Sequence, residues 1–193
     1  MDIAGPAGAL ETRIDAPETG TQWAVLCHPH PQYGGNMHDA VLDVLANELI
    51  RRDIGVLRFN FRGVGRSEGS YDQGDGEQQD LKAVLAWITS EYELPNVLLG
   101  GYSFGSSIAW QVAQSVDVVS RLMLVAPPVG AMTFDGPTPH VPIDAFAGDG
   151  DEFVRMDALR ALDGVRVHEI AGANHFFMGR WDDLGEAIRS ALS

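Results

Sequence analysis

The sequence predicts an α/β fold: a mostly parallel central sheet with helices on both faces. Three observations predict it. Short β-like apolar runs alternate with segments of helical spacing along the whole chain. The run Val97-Leu98-Leu99 reads as a buried strand, and it leads into a glycine-rich turn followed by a helical pattern. The chain has 193 residues, enough for one well-filled core and too few for two comfortable domains, so residues 1–193 are expected to form a single unit.

Taken in order, Gly8 to Asp15 reads as a first, edge strand. Trp23 to Cys27 is a short apolar run that stops at the turn His28-Pro29-His30-Pro31. Ala40 to Ile50 places Val41, Leu42, Val44, Leu45, Leu49 and Ile50 at helical spacing. Gly55 to Phe61 reads as a strand, and Gln79 to Ile88 returns to helical spacing through Leu81, Val84, Leu85 and Ile88. Asn96 to Gly100 is the buried strand, and Ser106 to Gln114 is helical. Leu122 to Ala126 is a strand stopped by Pro127-Pro128, and Gly130 to Val141, with Gly136, Pro137 and Pro139, is a loop. Ile143 to Gly148 is a strand that runs into the acidic loop Asp149-Gly150-Asp151. Met156 to Leu162 is a short helix, Val165 to Ile170 the last strand, and Trp181 to Leu192 the closing helix.

Composition excludes several function classes. There are 27 acidic against 13 basic residues, a net charge of −14, and Lys82 is the sole lysine. Such a chain repels phosphate backbones and anionic lipid surfaces, so nucleic acid and membranes are not expected partners. No run of about 18 apolar residues is present to span a bilayer. The first ten residues carry Asp2 and no Lys or Arg, unlike the basic start of a secretory leader, so a cytoplasmic location is expected. Cys27 is the lone cysteine and, beside Val25 and Leu26, reads as an inert core thiol.

The chemistry concentrates in Gly101-Tyr102-Ser103-Phe104-Gly105. This G-x-S-x-G lies between a strand and a helix, the context a nucleophile elbow requires. A serine hydroxyl needs a base, and the base needs an orienting carboxylate. Three histidines follow Ser103. His140 lies in the proline-rich loop, and His168 lies inside a strand. His175 follows the last strand directly, at a strand's C-terminal end, where open α/β sheets bind ligands, and it is the preferred base. The acid belongs to the Asp149-Gly150-Asp151-Glu152 loop, with Asp151 preferred over Asp149. That loop lacks the later ligands of a calcium-binding loop, and His28-x-His30 lacks an obvious third zinc ligand, so no metal is expected. Arg62 to Gly69 is glycine-rich but has no G-K-[ST] ending, so it reads as a structural turn rather than a nucleotide site. No cofactor is implied.

Taken together, the elbow, the Gly148-x-x-Asp151 acid loop, His175 and the segment Arg62-Gly63-Val64-Gly65-Arg66-Ser67 resemble the α/β-hydrolase superfamily. The stretch Cys27 to Met37 more narrowly resembles small, cap-less bacterial hydrolases near the dienelactone-hydrolase-like esterases. Dienelactone hydrolases proper use a cysteine nucleophile, whereas the elbow here holds Ser103.

The resemblance implies an oxyanion hole built from the Phe104 amide and, by the family's position, the backbone amide of His30, with Tyr33 as fallback. It also implies an open site, because only about sixteen residues separate Ala126 from Ile143, too few for a cap. Met132, Phe134, Phe176, Phe177 and Met178 are candidates to line it. The expected activity is a carboxylesterase acting on small acyl esters. A thioesterase or amidase would use the same residues, and a non-catalytic binding module on the same scaffold is the alternative of another class. The expected partner is a small-molecule ester or thioester, and the chain is expected to be a monomer or homodimer.

Overall fold

A computed structural model describes residues Met1–Ser193. Eight strands form one sheet: β1 (Asp2–Gly5), β2 (Gly8–Asp15), β3 (Trp23–Cys27), β4 (Gly55–Phe59), β5 (Val97–Tyr102), β6 (Val119–Val125), β7 (Ile143–Gly148) and β8 (Val165–Ile170). Five α-helices connect or follow them: α1 (Ala40–Ile50), α2 (Asp75–Glu91), α3 (Phe104–Ala113), α4 (Met156–Arg160) and α5 (Trp181–Ala191). The strand order is β1-β2-β4-β3-β5-β6-β7-β8. The pairs β1–β2 and β2–β4 are antiparallel, and from β4 to β8 every pair is parallel.

The parallel strands β3, β4, β5 and β7 are buried along their whole length, because helices cover both faces. Helices α1 and α5 pack together on one face, and α2 and α3 on the other. Fifty buried residues form one continuous hydrophobic core, from Ile3 to Ala191. No helix is long and apolar enough to cross a membrane.

Several boundaries differ from the sequence reading, each for a tertiary reason. Strand β1 has too little apolar pattern to be seen alone; it forms by pairing Ile3 with Leu10 of β2, and both side chains are buried there. Helix α2 starts at Asp75 rather than Gln79, since its first turn is polar. The buried Glu77 carboxylate accepts hydrogen bonds from the Asp72 and Gly74 amides and satisfies that end. Strand β6 starts at Val119, where the guanidinium of Arg121 grips buried Asp144 of β7 at 3.0 Å through Nε. Strand β4 stops at Phe59 rather than Phe61, because Asn60 and Phe61 turn away to hold loops. Asn60 Oδ1 accepts from the Met37 amide at 2.8 Å, and the Phe61 amide donates to His28 Nε2 at 3.0 Å.

His28 is therefore a structural tie. It is fully buried; Nδ1 donates to the Pro29 carbonyl at 2.6 Å while Nε2 accepts from Phe61. Both ring nitrogens are used, so the His-x-His pair has no free metal-ligating atom at residue 28. Burial pushes the His28 pKa down to about 4, against about 6.5 in an unfolded chain. Between those values the unfolded state binds more protons, so the contribution of neutral His28 is complete above about pH 6.5 and is lost as pH falls toward 4. The full loss is about 3 kcal/mol. We expect urea midpoints to fall more steeply from pH 7 to pH 4.5 in the native chain than in His28→Gln. Parallel slopes would show that other groups dominate acid sensitivity.

Candidate active site

The site lies at the C-terminal ends of β3, β5, β6, β7 and β8. Strand β5 runs into α3 through Ser103, which sits at φ 53° and ψ −117°. A non-glycine residue at such angles stores strain, and the surroundings hold it there. The Ser103 amide donates to the Val125 carbonyl at 2.9 Å, and Ser106 Oγ donates to the Ser103 carbonyl at 2.5 Å. The flanking glycines are required by close backbone approach. A Cβ on Gly101 would lie 2.3 Å from the Gly105 carbonyl oxygen, and one on Gly105 would lie 2.3 Å from the Cys27 carbonyl oxygen. The second contact presses the start of α3 against the end of β3 and the His28 carbonyl that follows it.

Three distant residues meet here. The Ser103 hydroxyl lies 2.9 Å from His175 Nε2, and His175 Nδ1 lies 2.8 Å from Asp151 Oδ2. With Nδ1 protonated and donating to Asp151, Nε2 is free to accept from Ser103. Asp151 Oδ1 accepts from the Phe153 amide at 2.8 Å, which orients the carboxylate. All three side chains are buried, Ser103 at 9 % and His175 at 8 % exposure. The Tyr102 hydroxyl donates to the His175 carbonyl at 3.1 Å, and burial pushes its phenol pKa up. The rings of Tyr102, Phe153 and Phe176 pack against the His175 imidazole.

The remaining candidates occupy other roles. Asp149 is exposed, and its Oδ1 accepts from the Gly172 amide at 2.6 Å, joining the two loops that carry Asp151 and His175. His168 Nε2 lies 2.8 Å from Asp144 Oδ1, and its ring stacks on Phe146. His140 is exposed. Burial pushes the Cys27 thiol pKa up, in keeping with an inert core position. Arg62 forms a two-pronged pair with buried Asp80 at 3.0 and 2.7 Å. Ser67 Oγ donates to the Asn60 carbonyl and accepts from the Glu11 amide. The Arg62–Gly69 segment is thus a structural turn locked to β2 and α2.

A cavity of about 420 Å³ opens over Ser103 and His175. Its walls include Pro29, His30, Tyr33, Met132, Phe153 and Phe176. The His30 ring is held among Tyr33, Tyr71 and Phe104 at centroid distances of 4.8 to 5.1 Å, and its Nδ1 accepts from the Gln32 amide at 3.2 Å. The His30 amide itself has no acceptor within the protein. Of the apolar residues expected at the site, Met132 and Phe176 line the cavity. Phe177 is fully buried core, Phe134 is buried against Trp110, and Met178 projects into solvent. Asp39, Tyr102 and Phe153 line it without having been anticipated. Asp39 carries a local signal only as the N-cap of α1. A wider depression of about 690 Å³ lies at the opposite, N-terminal ends of the strands and contains none of these groups.

Residues 25–145 match a protein family described as having the alpha/beta hydrolase fold. An uncharacterized protein of Rickettsia prowazekii is 33 % identical over 207 residues, which cover 97 % of this chain and 86 % of that protein. An alpha-beta serine hydrolase homologue from Coxiella burnetii is 38 % identical with a TM-score of 0.94, covering all of this chain and 96 % of its own. A serine hydrolase without lid from Xanthomonas campestris is 34 % identical with a TM-score of 0.92, covering all of this chain and 92 % of its own.

Proposed function

The chain belongs to the α/β-hydrolase family, and within it we propose a carboxylesterase that acts on small acyl esters through a Ser103–His175–Asp151 triad. The observation that carries this reading is the unbroken line of contacts from Ser103 Oγ to His175 Nε2 at 2.9 Å and from His175 Nδ1 to Asp151 Oδ2 at 2.8 Å, at the floor of an open cavity.

Ser103 Oγ attacks the ester carbonyl carbon as His175 Nε2 takes its proton, and Asp151 stabilises the imidazolium that forms. The amides of Phe104 and His30 receive the negative charge on the carbonyl oxygen. Phe104 opens α3, so its amide has no partner inside the helix, and the helix's positive end adds to the field. His175 then protonates the departing alkoxide, leaving an acyl-serine. Water, deprotonated by the same imidazole, attacks the acyl carbon and releases the acid and free Ser103.

The substrate size follows from the walls. Residues 127–142 form a short loop against α3 rather than a cap, so nothing encloses a long chain. A cavity of about 420 Å³ suits a short acyl group. The test is a p-nitrophenyl ester series from acetate to laurate, with a fluorophosphonate label mapped by mass spectrometry. Labelling at Ser103 and a decline in kcat/KM beyond butyrate are expected. A label elsewhere, or a rise toward laurate, would overturn the assignment.

A further inference from the structure

Asp39 lines the same cavity as Ser103 and His175. The triad does not use it, since His175 Nδ1 is already held by Asp151. Asp39 Oδ1 caps α1 by accepting from the Val41 and Leu42 amides, and these donors and the helix N-terminus favour the carboxylate form. Its second oxygen, Oδ2, takes no hydrogen bond from the protein and is not sealed from solvent. Burial pushes the Asp39 pKa up, as for a negative charge short of solvation.

Of the ionisable groups near it, Asp43 repels that charge and the His175 imidazole offsets it. No lysine or arginine lines the cavity. Three exposed aromatic residues do: Tyr33, at 87 % exposure, Phe153 and Phe176. Exposed aromatic side chains around a cavity mouth can meet an entering cation with their negative ring faces. A carboxylate with no lysine or arginine partner, sharing a cavity with exposed aromatic side chains, is the chemistry that recognises a weakly hydrated ammonium group. The net charge of −14 draws cations toward the molecule from a distance.

We propose that Asp39, with Tyr33, Phe153 and Phe176, forms a subsite for an ammonium group carried by the ester substrate. This rests on the esterase reading of the same cavity. It names the substrate class as esters bearing a substituted or quaternary ammonium within reach of the scissile carbonyl. The anionic counterparts of such esters are disfavoured by the same carboxylate.

The experiment uses two esters of the same shape that differ in charge, acetylcholine and 3,3-dimethylbutyl acetate. The native enzyme is expected to favour the cationic ester by about tenfold in kcat/KM. Salt should erode that preference. In Asp39→Asn the ratio should fall to near unity; asparagine is an equally good N-cap, so the start of α1 is preserved. A second measurement does not depend on turnover: Ser103→Ala protein is titrated with tetramethylammonium and followed by NMR. Saturable binding is expected, and it should be lost in the Asp39→Asn/Ser103→Ala double variant. Turnover of both esters at equal efficiency, with no tetramethylammonium binding, would overturn the subsite and leave the esterase standing. Failure to hydrolyse either ester, with no label on Ser103, would overturn the esterase, and the titration would then decide the cation site alone.

Discussion

Ser103→Ala is expected to lower kcat/KM for p-nitrophenyl butyrate by at least about 10⁴-fold while leaving the protein folded. The size follows from the nucleophilic role proposed for the hydroxyl. Without it, no acyl-enzyme forms, and hydrolysis depends on a water placed by chance beside the oxyanion donors. Residual rate enhancement then comes from the Phe104 and His30 amides and from binding. Stability should change little, because Ser103 Oγ bonds only to His175 Nε2. Alanine also keeps a Cβ, so the backbone strain at φ 53° is the same in both chains. The paired measurement is therefore activity and thermal midpoint. Retention of activity within about tenfold in a folded variant would place the nucleophile elsewhere.

Asp151→Asn is expected to cost about 10⁴-fold in kcat, and Asp149→Asn less than about threefold. The two aspartates are separated by one glycine, but their oxygens face different partners. Asp151 Oδ1 accepts from the Phe153 amide and Oδ2 faces His175 Nδ1. An asparagine there keeps its carbonyl on the Phe153 amide, which leaves its NH₂ toward Nδ1. That forces the imidazole into the tautomer with a proton on Nε2, which cannot accept the Ser103 proton. At residue 149 the asparagine carbonyl can still accept from the Gly172 amide, so the loop pairing survives. Equal losses in the two variants would mean that the acidic loop acts through its shape or total charge and not through one carboxylate.

Much of this was legible because it is written in local chemistry. Strand and helix patterns reflect which side chains face a core. Ser103, Asp151 and His175 stood out by their places after successive strands, and the fold brings the three within hydrogen-bonding distance. Gly101 and Gly105 could be read as the mark of a tight strand-to-helix turn. Where local pattern was weak, the reading fell short. The polar first turn of α2 is closed by Glu77, whose acceptor role depends on the chain folding back to Asp72 and Gly74. Adjacent Phe176 and Phe177 look alike in sequence, yet the left-handed backbone at Phe177 (φ 49°) accompanies a turn that buries one ring and exposes the other.

By itself the sequence determined the α/β class, the short connection between β6 and β7 that leaves no room for a cap, and the residue types available for acyl chemistry. All of these depend on neighbours a few residues apart. Only the tertiary structure decided which groups touch. His175 reaches Ser103 across 72 positions and Asp151 across 24. It also decided that His28 is a buried tie and that Asp39 shares the cavity with the serine. The physical reason is that a side chain's partner across such separations depends on sheet order and helix packing, which no local periodicity encodes.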